Sequence, residues 1–323
     1  MPAKFLATLF LALALSACGG EPPAEETAST TSVKLALNWF PEAEHGGFYA
    51  AQVHGYYEAA GLTVDILGGG PDAPVIQRVA TDQVAFGVTN ADGVLNARAQ
   101  QAPVVALMAP YQISPRVIMV HESSGIENIA DIRDITLSLS ARPAFSHYLR
   151  KKYPFEGVTI VPYSGNIAPF LINEQYAQQG YIFSEPFVAK SKGATPRSLL
   201  VAETGFNPYA SLLIATEETI AQRPEVVAAM VKASLQGWQR YMDDPEETNR
   251  RINQANPEMG LDILAFGAQT SRELVLDETA QKHGLGHMAL ERWQILLEQM
   301  IKAELIDSGA VDPQQAFTTG FLP

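Results

Sequence analysis

Short apolar runs closed by Gly, Pro or Asn recur through the first two-thirds of the chain, and longer runs at helical spacing fill the last third. The short runs predict strands over 33–37, 62–67, 84–88, 104–109, 114–120, 135–139, 160–163, 181–183, 199–202 and 212–215. Amphipathic stretches between them predict helices from Phe48 to Tyr57 and over 74–80, 94–100 and 126–132, with another opening at Pro143. Beyond Thr216 the best helices cover 225–242, 248–254, 261–271 and 288–305, punctuated by Pro245 and Pro257. Strands alternating with helices imply an α/β protein with mostly parallel sheets. The rhythm breaks near 109–116 and rejoins near 206–212, so two such units are expected, with the C-terminal helices returning to the first.

Composition bears little on this picture. A chain of 323 residues, 47% apolar and 18% charged, suits one large unit or two packed lobes. A formal charge of −13 argues against nucleic acid as a partner, because phosphate backbones call for clustered Lys and Arg. The N-terminus says more. Residues 1–17 carry one cation, Lys4, then an apolar run over 5–15 too short to span a bilayer, which is the pattern of a secretory signal. Leu15-Ser16-Ala17-Cys18 resembles a bacterial lipobox, which implies cleavage before Cys18 and a lipid anchor on its thiol. Cys18 is the single cysteine, so it has no disulfide partner within the chain. Residues 18–32 are small, acidic and Pro-bearing, a tether of roughly 45–50 Å at full stretch.

Chemistry collects at the carboxyl ends of the expected strands, where open α/β sheets bind small ligands. Pro41 removes a backbone donor and ends the first strand, leaving Asn38 and Trp39 at its edge. Asn90 and Asp92 follow the third strand, where either serves equally as a helix cap. Glu185 follows the 181–183 strand, and Tyr49, Tyr111 and Phe187 lie near these groups in sequence. Arg142, at an expected helix start, is the one positive candidate. His45 stands between Glu44 and the Gly46-Gly47 pair, as either a ligand-lining or a structural residue. One histidine with Glu42 and Glu44 is short of a metal site. Gly68-Gly69-Gly70-Pro71 lacks the Lys-Ser/Thr of a phosphate loop, and no hydrolase signature appears. No metal or catalytic residue is therefore expected.

The order N-W-F-P-E-x-E-H-G-G-F-Y, G-Y-Y-E-x-x-G-L, V-x-F-G-V and G-Y-I-F-S-E-P-F, behind a lipobox and tether, resembles the substrate-binding proteins of ABC importers related to thiamine-pyrimidine synthases. The resemblance covers nearly the whole exported chain. It implies a type II periplasmic-binding fold, with lobe 1 over 33–112 plus 213–323, lobe 2 over 113–212, and a cleft between them. It implies a monomeric, cofactor-free receptor outside the cell, lipid-anchored, that hands a small ligand to a membrane permease. It carries a pyrimidine-lining role to Asn38, Trp39 and Glu185. An aminopyrimidine related to thiamine precursors is the leading ligand, with riboflavin or another aromatic or a sulfonate-type solute as the alternative. Ser140-Ala141-Arg142-Pro143 departs from the Gly/Ser-rich loop common in the superfamily. A synthase-like activity is the distant alternative, since residues 35–150 contain no lysine for a Schiff base.

Overall fold

The computed structural model describes Met1, residues 30–71 and residues 73–323. The expected signal segment, Cys18 and most of the tether lie outside the described residues. Strand β1 begins at Thr31, two residues inside the expected tether, because Thr31 and Ser32 pair with Leu62 and Thr63.

Ten strands form two sheets among the described residues. The first contains β1 (Thr31–Ala36), β2 (Leu62–Leu67), β3 (Phe86–Thr89), β4 (Val104–Met108) and β10 (Leu212–Thr216), in the order β2-β1-β3-β10-β4. The second contains β5 (Arg116–His121), β6 (Thr136–Ser138), β7 (Thr159–Val161), β8 (Tyr176–Tyr181) and β9 (Pro196–Leu200), in the order β7-β6-β8-β5-β9. In each, four strands run in one direction and one antiparallel strand is inserted among them, β10 between β3 and β4 and β5 between β8 and β9. Each inserted strand follows a segment that crosses from one sheet to the other. The crossings, 109–115 and 201–211, touch through a bridge between Tyr111 and Ala210.

Three expectations are corrected. The strand expected at 181–183 is β8, which ends at Tyr181; Gln178-Gln179-Gly180 hides it from hydropathy although the structure buries all three. The helix expected over 126–132 is a single 3-10 turn, Ile129–Asp131, held by a capping box between Asn128 and Asp131. The strand expected at 199–202 ends at Leu200 and gives way to a 3-10 turn, Val201–Thr204.

The C-terminal part returns to the first sheet. Ala106 on β4 bonds Ala316 and Thr318, and the Trp293 and Phe317 rings stack 5.4 Å apart. The long helix Pro224–Asp243 packs against the helix Gly46–Val53, and here the glycine pair earns its place: a Cβ on Gly46 would stand 2.0 Å from the Tyr241 ring and one on Gly47 2.1 Å from the Trp238 ring. Gly237 answers from the long helix, since its own Cβ would meet the Gly47 carbonyl at 2.1 Å. Two buried apolar clusters follow from this arrangement. One surrounds that helix pair, and the other runs from the first sheet through Phe206 and Tyr209 of the second crossing to the second sheet.

Candidate functional site

The carboxyl edges of the two sheets face each other, and polar side chains meet between them. Pro41 ends β1 and a 3-10 turn, Ala43–His45, folds back beneath the strand end. This turn buries Glu42, Glu44 and His45, each exposed by 4% or less. Glu44 Oε1 accepts from the Asn38 amide at 3.2 Å and from the Ser211 hydroxyl at 2.9 Å. Asn38 Oδ1 then faces His45 Nε2 at 3.0 Å, which makes that nitrogen the donor. His45 Nδ1 has no hydrogen-bond partner among the described residues. Burial pushes the imidazole down to about 3, so the ring is neutral. The expected His45 thus belongs to a buried network behind Asn38.

Ser211 closes this network from the second crossing. It is a fully buried residue with φ of 52°, a left-handed conformation uncommon outside glycine. Two bonds hold it there, its hydroxyl to Glu44 and its backbone N–H to Asn90 Oδ1 at 3.1 Å. Asn90 in turn reaches across to the second sheet, its amide 3.4 Å from the Tyr181 hydroxyl. The Asn90 side chain therefore links both sheets rather than capping the helix Ala91–Ala99.

Glu185 opens the helix Glu185–Ser191 directly after β8. Its Oε2 accepts the Tyr181 backbone N–H at 2.8 Å and its Oε1 accepts the Tyr163 hydroxyl at 2.5 Å. Gly180 makes room for this carboxylate, because a Cβ there would lie 2.8 Å from Oε2. Each oxygen keeps a second acceptor site.

The electrostatics are lopsided. Burial raises Glu42 well above the usual carboxylate range, with the charges of Glu44 and Glu185 adding to it. Burial also raises Glu44 and Asp92. The opposing charge comes from Arg116, the first residue of β5, which acts on Glu42, Glu44 and Asp92. Its guanidinium lies 4.2 Å from the centre of the Tyr181 ring and 4.7 Å from that of Phe145.

The sequence-predicted residues thus divide. Asn38, His45, Asn90, Asp92 and Glu185 come together. Trp39 stands partly exposed at the rim, its ring edge-on to Phe40 at 5.6 Å, with its carbonyl accepting from Gly69. Tyr111 lies beneath the cluster, fully buried, its hydroxyl bonded to Ser271 at 2.8 Å and its ring against Trp238. Tyr49 is set apart: it points into the helical core, with Arg251 5.4 Å from the centre of its ring, because residues one turn along Gly46–Val53 face the C-terminal helices. Arg142 is set apart as well, exposed to solvent just before the helix Ala144–Lys152. The positive charge expected from it is supplied by Arg116. Phe187 packs on Phe266 at 5.1 Å. Sequence reasoning missed Arg116, Ser211, Tyr163 and Tyr181. Pro115 before Arg116 and Tyr181 at the head of the Y-I-F-S-E-P run were the available signals. Among the described residues no three His, Cys, Asp or Glu side chains are grouped to hold a metal ion.

Comparisons with known proteins agree with this architecture. The chain is 29% identical to the riboflavin-binding protein RibY of Chloroflexus aurantiacus, over 98% of this chain and 96% of that one. It is 22% identical to the formylaminopyrimidine-binding protein of Halalkalibacterium halodurans, over 98% of each. The periplasmic aliphatic sulphonate binding protein SsuA of Escherichia coli superposes with a TM-score of 0.70 at 12% identity, over 90% of this chain and 93% of that one, so the fold is that of periplasmic binding proteins. The family described as NMT1/THI5 like matches residues 42–248, and the chain belongs to it.

Proposed function

We propose that this protein is the solute receptor of an ABC importer and that it holds a small planar heterocycle between its two sheets. The observation that carries the reading is the lining of the cleft, where Asn38 and the Glu185 carboxylate offer acceptors and Arg116, held over the Tyr181 ring, is the single cation among the carboxyl groups of Glu42, Glu44, Asp92 and Glu185. Such a lining disfavours sulfonate or nitrate and suits a ligand that presents amine or ring N–H donors. Trp39, partly exposed at the rim, supplies an aromatic face worth about 1 kcal/mol in stacking. Two relatives named as binders of riboflavin and of formylaminopyrimidine support a flat, nitrogen-rich ligand.

An aminopyrimidine is the first reading, because Asn38 and Glu185 can pair with an exocyclic amine and a protonated ring nitrogen. Riboflavin is the second, favoured by the higher identity to the riboflavin-binding relative. In either case residues 33–112 with 213–323 form one lobe and 113–212 the other, and closure of the two around ligand creates the form a permease recognises. Cys18, as a lipid anchor, keeps this receptor at the outer face of a membrane. Synthase chemistry gains nothing from the cleft, where His45 is a neutral member of a buried network and residues 35–150 lack lysine.

A thermal-shift panel tests the proposal. Formylaminopyrimidine, hydroxymethylpyrimidine, thiamine, riboflavin, taurine and nitrate are each added in excess to the purified chain. A ligand at a hundredfold excess over its Kd adds about 2.7 kcal/mol to stability and must raise Tm. A shift with a pyrimidine or riboflavin is the expected result. A shift confined to taurine or nitrate contradicts it.

A further inference from the structure

The cleft leaves a guanidinium unspent. Arg98 reaches Glu217, Arg240 reaches Asp244, and Arg292 reaches the carbonyl of Asn207. No hydrogen bond or ion pair joins the Arg116 guanidinium to any described residue. It is only partly exposed, and the faces of Tyr181 and Phe145 fix where it points. Glu42, Glu44 and Asp92 are near enough to feel its charge without bonding it. A guanidinium carries five N–H donors in a rigid fork, and those of Arg116 have no protein acceptor to compete with one brought by a ligand. An acceptor entering the cleft can take them.

Its character follows from the surroundings. A full anion would gain Arg116 but meet three carboxyl groups on the side of the first sheet. A neutral acceptor, such as a ring or formyl carbonyl, gains the donors without that repulsion. We infer that Arg116 is a specificity-determining residue, donating to a carbonyl acceptor of the bound heterocycle, so that the site selects molecules carrying an amine and a carbonyl on the same planar frame. This rests on the reading of the cleft as the solute site, and it adds a requirement that the carboxylates alone do not impose. Amine donors satisfy Glu185 and Asn38, whereas only an acceptor satisfies Arg116.

Titration calorimetry of the full chain tests it with three probes: formylaminopyrimidine and riboflavin, which carry carbonyls, and 4-amino-5-aminomethyl-2-methylpyrimidine, which has the pyrimidine amine and an aminomethyl group in place of the formamide. Arg116→Met is expected to weaken the carbonyl-bearing ligand that the wild type binds by about 10- to 100-fold, as for loss of a hydrogen bond to a charged group. The same change leaves the aminomethyl compound unweakened or tighter, since a cation near it is gone. Arg116→Lys keeps the charge, loses the fork and falls between. Melting without ligand reports whether each variant folds; should Arg116→Met fail to, the selectivity of Arg116→Lys decides. Equal losses for all probes, or no loss for the carbonyl-bearing ones, overturn the assignment of Arg116 while the receptor stands. A wild type that binds none of the three overturns the receptor reading and this assignment together.

Discussion

Glu44 is the most constrained group of the cleft, bonded to Asn38 and Ser211, and its charge helps to raise Glu42. Behind it, His45 donates to Asn38 and has no room to become charged. Its depressed value, about 3 against an ordinary 6.5, has a measurable consequence. The folded state refuses a proton that the unfolded chain accepts below pH 6.5, so stability falls as pH drops from 6.5 towards 3. By pH 4 this single group costs about 3 kcal/mol. Glu42 and Glu44 act in the opposite sense, since raised carboxyls take up protons more readily when folded and favour the folded state as pH falls. His45→Gln keeps a donor towards Asn38 and removes only the titration. Denaturant unfolding between pH 7 and pH 4 is expected to show a shallower loss for this variant; parallel curves contradict the neutral, buried imidazole. At this scale the sequence was partly legible. Asn38 and Glu185 could be read from their positions after apolar strands. Ser211 could not, because its role depends on a positive φ that no local pattern announces, and Arg116 could not, because it is a lone cation at a strand start.

The elements that position these residues were easier to read where hydropathy and geometry agree. β1, β2 and β4 are apolar runs bounded by Gly or Pro, and they stand where expected within two residues. β8 was misplaced because Gln178 and Gln179 are buried in a strand whose sequence looks polar. The two crossings were visible only as breaks in the rhythm, and what holds them was not visible at all. Arg292, on the helix Leu290–Lys302, donates to the Gln112 carbonyl of the first crossing and to the Asn207 carbonyl of the second, at 2.9 Å for the latter. Its guanidinium also lies over the Tyr209 ring at 3.9 Å, and Asn207 Oδ1 accepts the Ser114 N–H at 2.8 Å. One C-terminal side chain thus ties both connections. Arg292→Ala leaves two carbonyls unpaired and is expected to cost about 2–4 kcal/mol in denaturant unfolding. A loss under about 0.5 kcal/mol, the range of an ordinary surface change, removes Arg292 from this role.

At the scale of the molecule, two sheets with the same strand plan meet at their carboxyl edges, and the chain crosses between them at 109–115 and 201–211. A hydrogen bond between Asn90 and Tyr181 and the contact of Phe187 with Phe266 join the two halves. This plan was legible from alternation and from the family resemblance together; neither composition nor net charge pointed to it. The proposed ligand is a class and no more, because hydrogen-bonding groups indicate which donors and acceptors a molecule must offer and not its name. Binding of a planar heterocycle in this cleft through Trp39 and Glu185 is the proposal on which the rest depends. Equilibrium titration of riboflavin and of formylaminopyrimidine into the wild type, Trp39→Ala and Glu185→Ala decides it. Saturable binding of one of them at one site per chain is expected, weakened by about 1–3 kcal/mol in each variant. Binding with undiminished affinity in both variants, or binding of neither compound, contradicts it.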